Sequence, residues 1–351
     1  MAHNILITGG SGYLGGTLLA RWKEANLPPH GKVFALVRSQ HQEEAVKQYN
    51  AEPISINFDD AGALETAIID NDISIVFHLF NPTDTEYSVA FIKALSEVKK
   101  RTGKEVHFVF TTGAKIFSNH VAAPTDKPLL DTDPALFEIQ KNMENKGPHP
   151  RFNQAVKANN IVIETAEQYG VRSYIFAPCI VYGKGEGFGN PISIQTVAIV
   201  QAAKALRQVY KVDAGRPTWP VCHVLDNTGL YLQILRKILS GEEIGHGRSG
   251  YYLASPGSIA WDDLYLAIAK AMKQRNAVDD ISVKEADDDI LGKMGDALKC
   301  PKDFVAVQVG GLCTFTAENG KRIGWKPRYE PQHILETADE EVELILKHLK
   351  D

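Results

Sequence analysis

"TGGSGYLG", residues 8–15, decides the fold. It follows the apolar, strand-length run "NILIT" (4–8) and opens a helical pattern from about Tyr13. Glycines at 9, 12 and 15 have a mechanical use at a strand-to-helix junction. One permits the tight turn, one removes the Cβ that would block a diphosphate, and one lets helix and strand pack closely, while free amides at the helix start face the anion. Gly9, Gly12, Tyr13, Leu14 and Gly15 are therefore the expected diphosphate contacts, with a ligand-free glycine-rich turn as the alternative.

Outward from this junction the first half alternates β-rich and helical segments. "KVFALVR" (32–38) precedes "EEAVKQY" (43–49), and "PISINF" (53–58) precedes "AGALETAIID" (61–70). "ISIVFHLF" (73–80), the helical "VAFIKALSEVKK" (89–100), "VHFVFTT" (106–112), a helix from about Asn153 and "SYIFAP" (173–178) continue the series. Strands separated by helices of about three turns indicate right-handed crossovers and a parallel sheet. The expected class is α/β, a Rossmann-type doubly wound parallel sheet with a smaller mixed C-terminal substrate-binding portion.

The boundary is expected at residue 183, with 1–183 binding the dinucleotide and 184–351 covering the substrate, part of the later chain returning to the sheet. Between Gly113 and Pro150 five prolines punctuate a long connection, read as an active-site lid or a decorated loop. The terminal "PQHILETADEEVELILKHLK" (331–350) has the spacing of an amphipathic helix that packs on the core or a partner.

Composition narrows the partners. A formal net charge of -5 and a pI near 6.1 disfavour a nonspecific grip on nucleic acid or anionic lipid, so a small-molecule substrate is expected. The 4 cysteines show neither C-x-x-C pairing nor regular spacing, which argues against a zinc site or a disulfide framework. No metal site is expected. No apolar run approaches the roughly 18 to 20 residues of a membrane span, and no charged, cleavable leader is evident, so the expected location is cytoplasmic.

Several ordered motifs resemble the extended branch of the short-chain dehydrogenase/reductase superfamily, the NAD-dependent epimerases and dehydratases. "TGGSGYLG" fits TGxxGxxG, "VFHLF" (76–80) the fourth-strand position, and "FVFTTGAKIF" (108–117) the fifth strand with its serine/threonine run. "SYIFAPCIVYGKGEG" (173–187) is similar to RPxxVYGxG, and "PVCHVLDNT" (220–228) to VHVDDV. The resemblance implies a nicotinamide dinucleotide, with Leu79 and Thr111 beside it, Pro178 and Ile180 walling the nicotinamide, and a homodimer formed through helices near 85–100 and 153–169.

Cofactor choice is read at the end of the second strand. "LVRS" (36–39) offers Arg38 and Ser39, a cation and a hydroxyl suited to a 2′-phosphate, where an acidic residue would hold a 2′-hydroxyl. NADP is the expected cofactor and NAD the alternative. Asn57 and Phe58 fall where the family contacts adenine, with Asp60 as the cap of the following helix.

The catalytic positions depart from the family pattern of a tyrosine, a lysine four residues later and a serine or threonine. In "RFNQAVKANN" (151–160) the resemblance places the lysine at Lys157 and the tyrosine at Asn153, and the hydroxyl position falls on Gly113 next to Thr112. An asparagine orients groups but moves no proton at neutral pH. Lys115, in "TTGAKIF" (111–117), sits in a TG-x-K arrangement similar to the plant progesterone 5β-reductase and iridoid synthase group, which reduces enones; a solvated lysine at a strand end is the alternative. Tyr182, His120 and His223 are weaker candidates, each with a structural role open to it.

The expected function is an NADP(H)-binding oxidoreductase or epimerase acting on a small carbonyl or enone with a non-standard proton donor. The alternatives are a non-redox isomerase, lyase or cyclase on the same scaffold, and a dinucleotide-sensing protein without catalysis.

Overall fold

The computed structural model describes residues 2–57, 60, 62–83 and 85–349. Its centre is a seven-stranded sheet: β1 (Asn4–Ile7), β2 (Val33–Val37), β3 (Glu52–Ser55), β4 (Ile73–His78), β5 (His107–Thr111), β6 (Arg172–Pro178) and β7 (Tyr251–Ala254). Their order is β7-β6-β5-β4-β1-β2-β3, and every pairing is parallel. β4 and β5 are buried along their whole length, as strands covered by helices on both faces must be, and their sequences are accordingly almost continuously apolar.

The connections are α1 (Tyr13–Arg21), α2 (Gln40–Lys47), α3 (Ala63–Asp70), α4 (Thr85–Thr102), α5 (Leu136–Met143) and α6 (Pro150–Tyr169). α4 packs against α3 and α6. α1 packs against the helix Val224–Leu239, which returns the chain to β7. Strand order reverses between β1 and β4, and a crevice opens there beyond the carboxyl ends of the strands, where doubly wound sheets bind ligands.

The later chain is mixed. Thr218–His223 pairs antiparallel with Gly257–Ala260 and parallel with Ile180–Tyr182, while Val209–Lys211 pairs with Val283–Glu285. Elements from either side of residue 183 interleave. Leu129–Leu130 pairs with Phe315–Thr316, and one hydrophobic core runs from Ile5 to Ile345. Asp131 ties the halves together, its buried carboxylate accepting backbone N–H bonds from Leu253 (3.2 Å), Glu318 (2.8 Å) and Asn319 (2.9 Å).

The proline-punctuated connection is thus a decorated one, holding α5 and two 3₁₀ turns against the core. The terminal segment forms two helices, His333–Glu336 and Ala338–His348, the second burying Val342 and Ile345. No helix among the described residues is long and apolar enough to cross a membrane.

Candidate functional site

The glycine turn is built by backbone demands. Gly9 has φ +68°, and a Cβ there would lie 3.1 Å from the Leu79 carbonyl oxygen; a Cβ on Gly15 would lie 2.4 Å from the carbonyl oxygen of Gly9. The Thr8 hydroxyl accepts the Leu79 N–H at 2.9 Å, which fastens the end of β4 beside the turn. Gly12, the N-cap of α1, offers no side-chain cap, so the first amides of α1, Tyr13 to Gly15, keep their donors for a ligand. Gly9, Gly12, Tyr13, Leu14, Gly15 and Leu79 all line one cavity of about 530 Å3. This cradle fits a dinucleotide diphosphate: bare backbone, free donors and the positive end of a helix.

The Tyr13 side chain does something else. Its phenol donates to the Gly183 carbonyl at 2.6 Å, and burial pushes its pKa well up, so it stays protonated at neutral pH and anchors the turn. The strap 184–190 follows Gly183 and lies directly on the turn. Gly187 meets Gly16 and Gly189 meets Ser11 so closely that a Cβ at either glycine would overlap backbone, and the Asn190 N–H donates to the Ser11 carbonyl at 3.0 Å.

At the end of β2, Arg38 and Ser39 are exposed and lie outside the cavity. The Ser39 hydroxyl caps α2, and Gln42 accepts the Arg38 N–H at 2.8 Å while donating to Ser11 Oγ at 3.2 Å. The Arg38 guanidinium makes no ion pair among the described residues. Asn57 is exposed, its carbonyl accepting the Asp60 N–H at 3.1 Å. Phe58 lies outside the described residues.

β5 delivers the centre of the site. Thr111 lines the cavity, with its hydroxyl 2.7 Å from the Tyr231 hydroxyl. Thr112, Gly113 and Lys115 follow it along the same wall. Thr112 Oγ1 is buried with no hydrogen-bond partner among the described residues. The Lys115 ammonium has neither an ion pair nor a hydrogen bond there; burial, and then the charge of Arg151, push its pKa down to about 8.

α6 presents a different face from the one the sequence resemblance implies. Arg151, Phe152 and Ala155 line the cavity; Asn153 and Lys157 do not. The Asn153 amide is engaged with the preceding loop, accepting the Gly147 N–H at 3.0 Å and donating to the Gly147 carbonyl at 2.9 Å. Lys157 is exposed. The cause is helical geometry: shifting by two residues turns a side chain about 200° around the axis, from the cavity to the opposite face. The pair four residues apart on α6 that lines the cavity is Arg151 and Ala155.

Pro178 lines the cavity as expected, but Ile180 is fully buried and does not; Cys179 and Val181 take that wall. The far side comes from the later chain: Asn190, Ile194, Gln195, Trp219, Phe304 and Gln308. Phe152 stacks on Phe304 with centroids 5.6 Å apart, joining the two halves of the cavity. No sequence signal marked these residues, because none belongs to a spaced motif.

The three weaker candidates have structural partners. His120 is buried with Nε2 3.0 Å from the Gly310 carbonyl oxygen, His223 Nδ1 accepts the Leu225 N–H, and the Tyr182 hydroxyl lies 3.0 Å from His333 Nδ1. No cluster of three or more His, Cys, Asp or Glu among the described residues could hold a metal ion.

Solved structures share this architecture. UDP-glucose 4-epimerase of Thermotoga maritima, with UDP-glucose, superposes at TM-score 0.60 with 18% identity over 99% of this chain and 100% of its own. UDP-N-acetylglucosamine 4-epimerase of Methanobrevibacter ruminantium, with UDP-N-acetylmuramic acid, gives 0.62 and 16% over 99% and 100%. dTDP-glucose 4,6-dehydratase of Bacillus anthracis, in complex with NAD, gives 0.61 and 13% over 99% and 98%. At these identities the likeness is one of fold. No curated protein matches the sequence. The sequence profile of the NAD dependent epimerase/dehydratase family matches residues 5–246, more than half of the chain, across the glycine turn, β5, α6 and β6. The chain therefore belongs to the NAD dependent epimerase/dehydratase family.

Proposed function

We propose that the protein is a nicotinamide-dinucleotide enzyme that reduces, or oxidises and re-reduces, a small carbonyl or enone, with Lys115 in place of the tyrosine as proton carrier. The observation that carries this reading is an unpaired lysine, its pKa lowered to about 8, on the wall of the same cavity that Thr112 and the glycine cradle line. A bound nicotinamide supplies hydride chemistry at the substrate carbon.

The chain supplies the rest. The amides at the start of α1 hold the diphosphate, and Pro178 and Cys179 back the nicotinamide. Thr112 Oγ1 orients the substrate oxygen, and the Lys115 ammonium gives its proton to the oxygen or to the adjacent carbon as charge develops there. A donor with a pKa close to the working pH is efficient in both directions of transfer. Arg38 at the end of β2 favours NADP over NAD, since a guanidinium pairs with a 2′-phosphate and an acidic residue would repel it. The family resemblance supports a homodimer through α4 and α6, and the 4 cysteines without paired spacing support a cytoplasmic location.

The test is NADPH consumption, followed by its near-ultraviolet absorbance, against a panel of carbonyls and enones. Turnover in step with product supports the proposal. Product without cofactor turnover points to a non-redox isomerase, lyase or cyclase, a reading favoured by the absence of a tyrosine and a lysine from the part of α6 that lines the cavity. Dinucleotide binding with no product from any compound points to a sensor.

A further inference from the structure

The cavity is lined by two cations, Lys115 and Arg151, and by no carboxylate among the described residues. Neither cation has an ion pair or a side-chain hydrogen bond among the described residues. Two like charges facing one space oppose each other; Lys115 is desolvated while Arg151 is exposed, and a ligand's negative charge would offset both.

The surroundings define that ligand further. Arg151 stands in the first turn of α6, whose N-cap His149 provides no side-chain cap, so the positive end of a long helix adds to both cations. Thr112 Oγ1, buried and unpartnered, lines the same wall. Beyond these groups the cavity turns apolar, with Ile116, Phe152, Phe304 and Trp219.

We propose that the substrate is an anion, carrying a carboxylate or phosphate that Arg151 binds at the start of α6 while its apolar or aromatic body lies against Phe152, Phe304 and Trp219. This rests on reading the cavity as the substrate site of a dinucleotide enzyme. Lys115 then faces the reacting carbonyl from one side while Arg151 holds the acid group from the other. A reduced nicotinamide, if bound, would supply the hydride for the new C–H bond and leave oxidised; the chain's part is Lys115, whose ammonium would give its proton to the oxygen as the carbonyl π pair moves there and be left neutral. The same arrangement selects against uncharged analogues, because they leave the guanidinium unpaired in the cavity.

The experiment is calorimetric titration of the NADP-saturated protein with benzoate, cinnamate and phenyl phosphate, and with benzamide and cinnamide as uncharged counterparts. Acids are expected to bind at least ~10-fold tighter than the amides, with Arg151→Gln abolishing that difference and Arg151→Lys restoring part of it. Carboxylates outbinding phenyl phosphate identify a carboxylic acid substrate, and the reverse identifies a phosphate ester; either supports the proposal. Amides matching the acids, or no acid binding, overturns it. So does a loss of NADP affinity in Arg151→Gln equal to the loss for the acids, since the cation would then serve the cofactor. Failure of NADP itself to bind the wild-type protein instead removes the dinucleotide reading, and titrating the acids into the free protein tests the anion site separately.

Discussion

Lys115, just past the end of β5, and Arg151, in the first turn of α6, line one cavity, and the guanidinium helps hold the lysine's pKa down at about 8. Under the proposed function this pair faces the substrate, with Lys115 as the proton carrier.

Removing the lysine should separate catalysis from stability. Lys115→Met is expected to lower kcat/KM in the reductive direction by ~10²–10⁴-fold. Wild-type reduction should decline as pH rises through about 8, when the donor loses its proton, and that limb should vanish in the variant.

The same variant should be more stable at neutral pH, by ~1 kcal/mol or more, because an apolar side chain replaces a desolvated charge. The sign follows from linkage: the folded pKa of about 8 lies below the unfolded value of 10.5, so the penalty is complete below pH 8 and fades as pH climbs from there to 10.5. Chemical denaturation at pH 7 and pH 10 checks this; a gap that widens with pH would contradict the assignment.

Asn153 and Lys157 should behave as structural and surface residues. Asn153→Ala loses both bonds to Gly147 and is expected to cost ~1–2 kcal/mol in thermal or denaturant unfolding. Lys157→Ala should change stability by less than ~0.5 kcal/mol and leave dinucleotide affinity untouched. A large loss of NADPH binding in Lys157→Ala would restore the register read from sequence.

Gly15→Ala puts a methyl 2.4 Å from the Gly9 carbonyl oxygen, so α1 must move away from the turn. The expected cost is ~1–3 kcal/mol of stability, together with weakened binding of both NADPH and NADH. Tryptophan fluorescence titration measures the second effect.

Arg38→Ala should reduce the preference for NADPH over NADH by ~10-fold or more, the value of a charge-assisted bond to phosphate. Equal affinities for the two cofactors in the wild-type protein would remove Arg38 from the site.

What the sequence determined by itself is local. The glycine spacing between a strand and a helix is dictated by backbone sterics within a dozen residues, and the buried parallel strands announce themselves as largely apolar runs because helices cover both their faces. The order of the motifs along the chain was enough for the family. The face that α6 turns to the cavity was decided only by tertiary packing: the burial of Val156, Ala158, Asn159, Asn160 and Ile163 orients the helix and leaves Arg151 and Ala155 toward the ligand space. Lys157 sits at a credible spacing on the same helix, but a spacing has no direction until the helix is docked. Trp219 and Phe304 reach the site from remote segments for the same reason, since which side chains share a cavity is settled by the three-dimensional closure of the chain, and no local pattern encodes it.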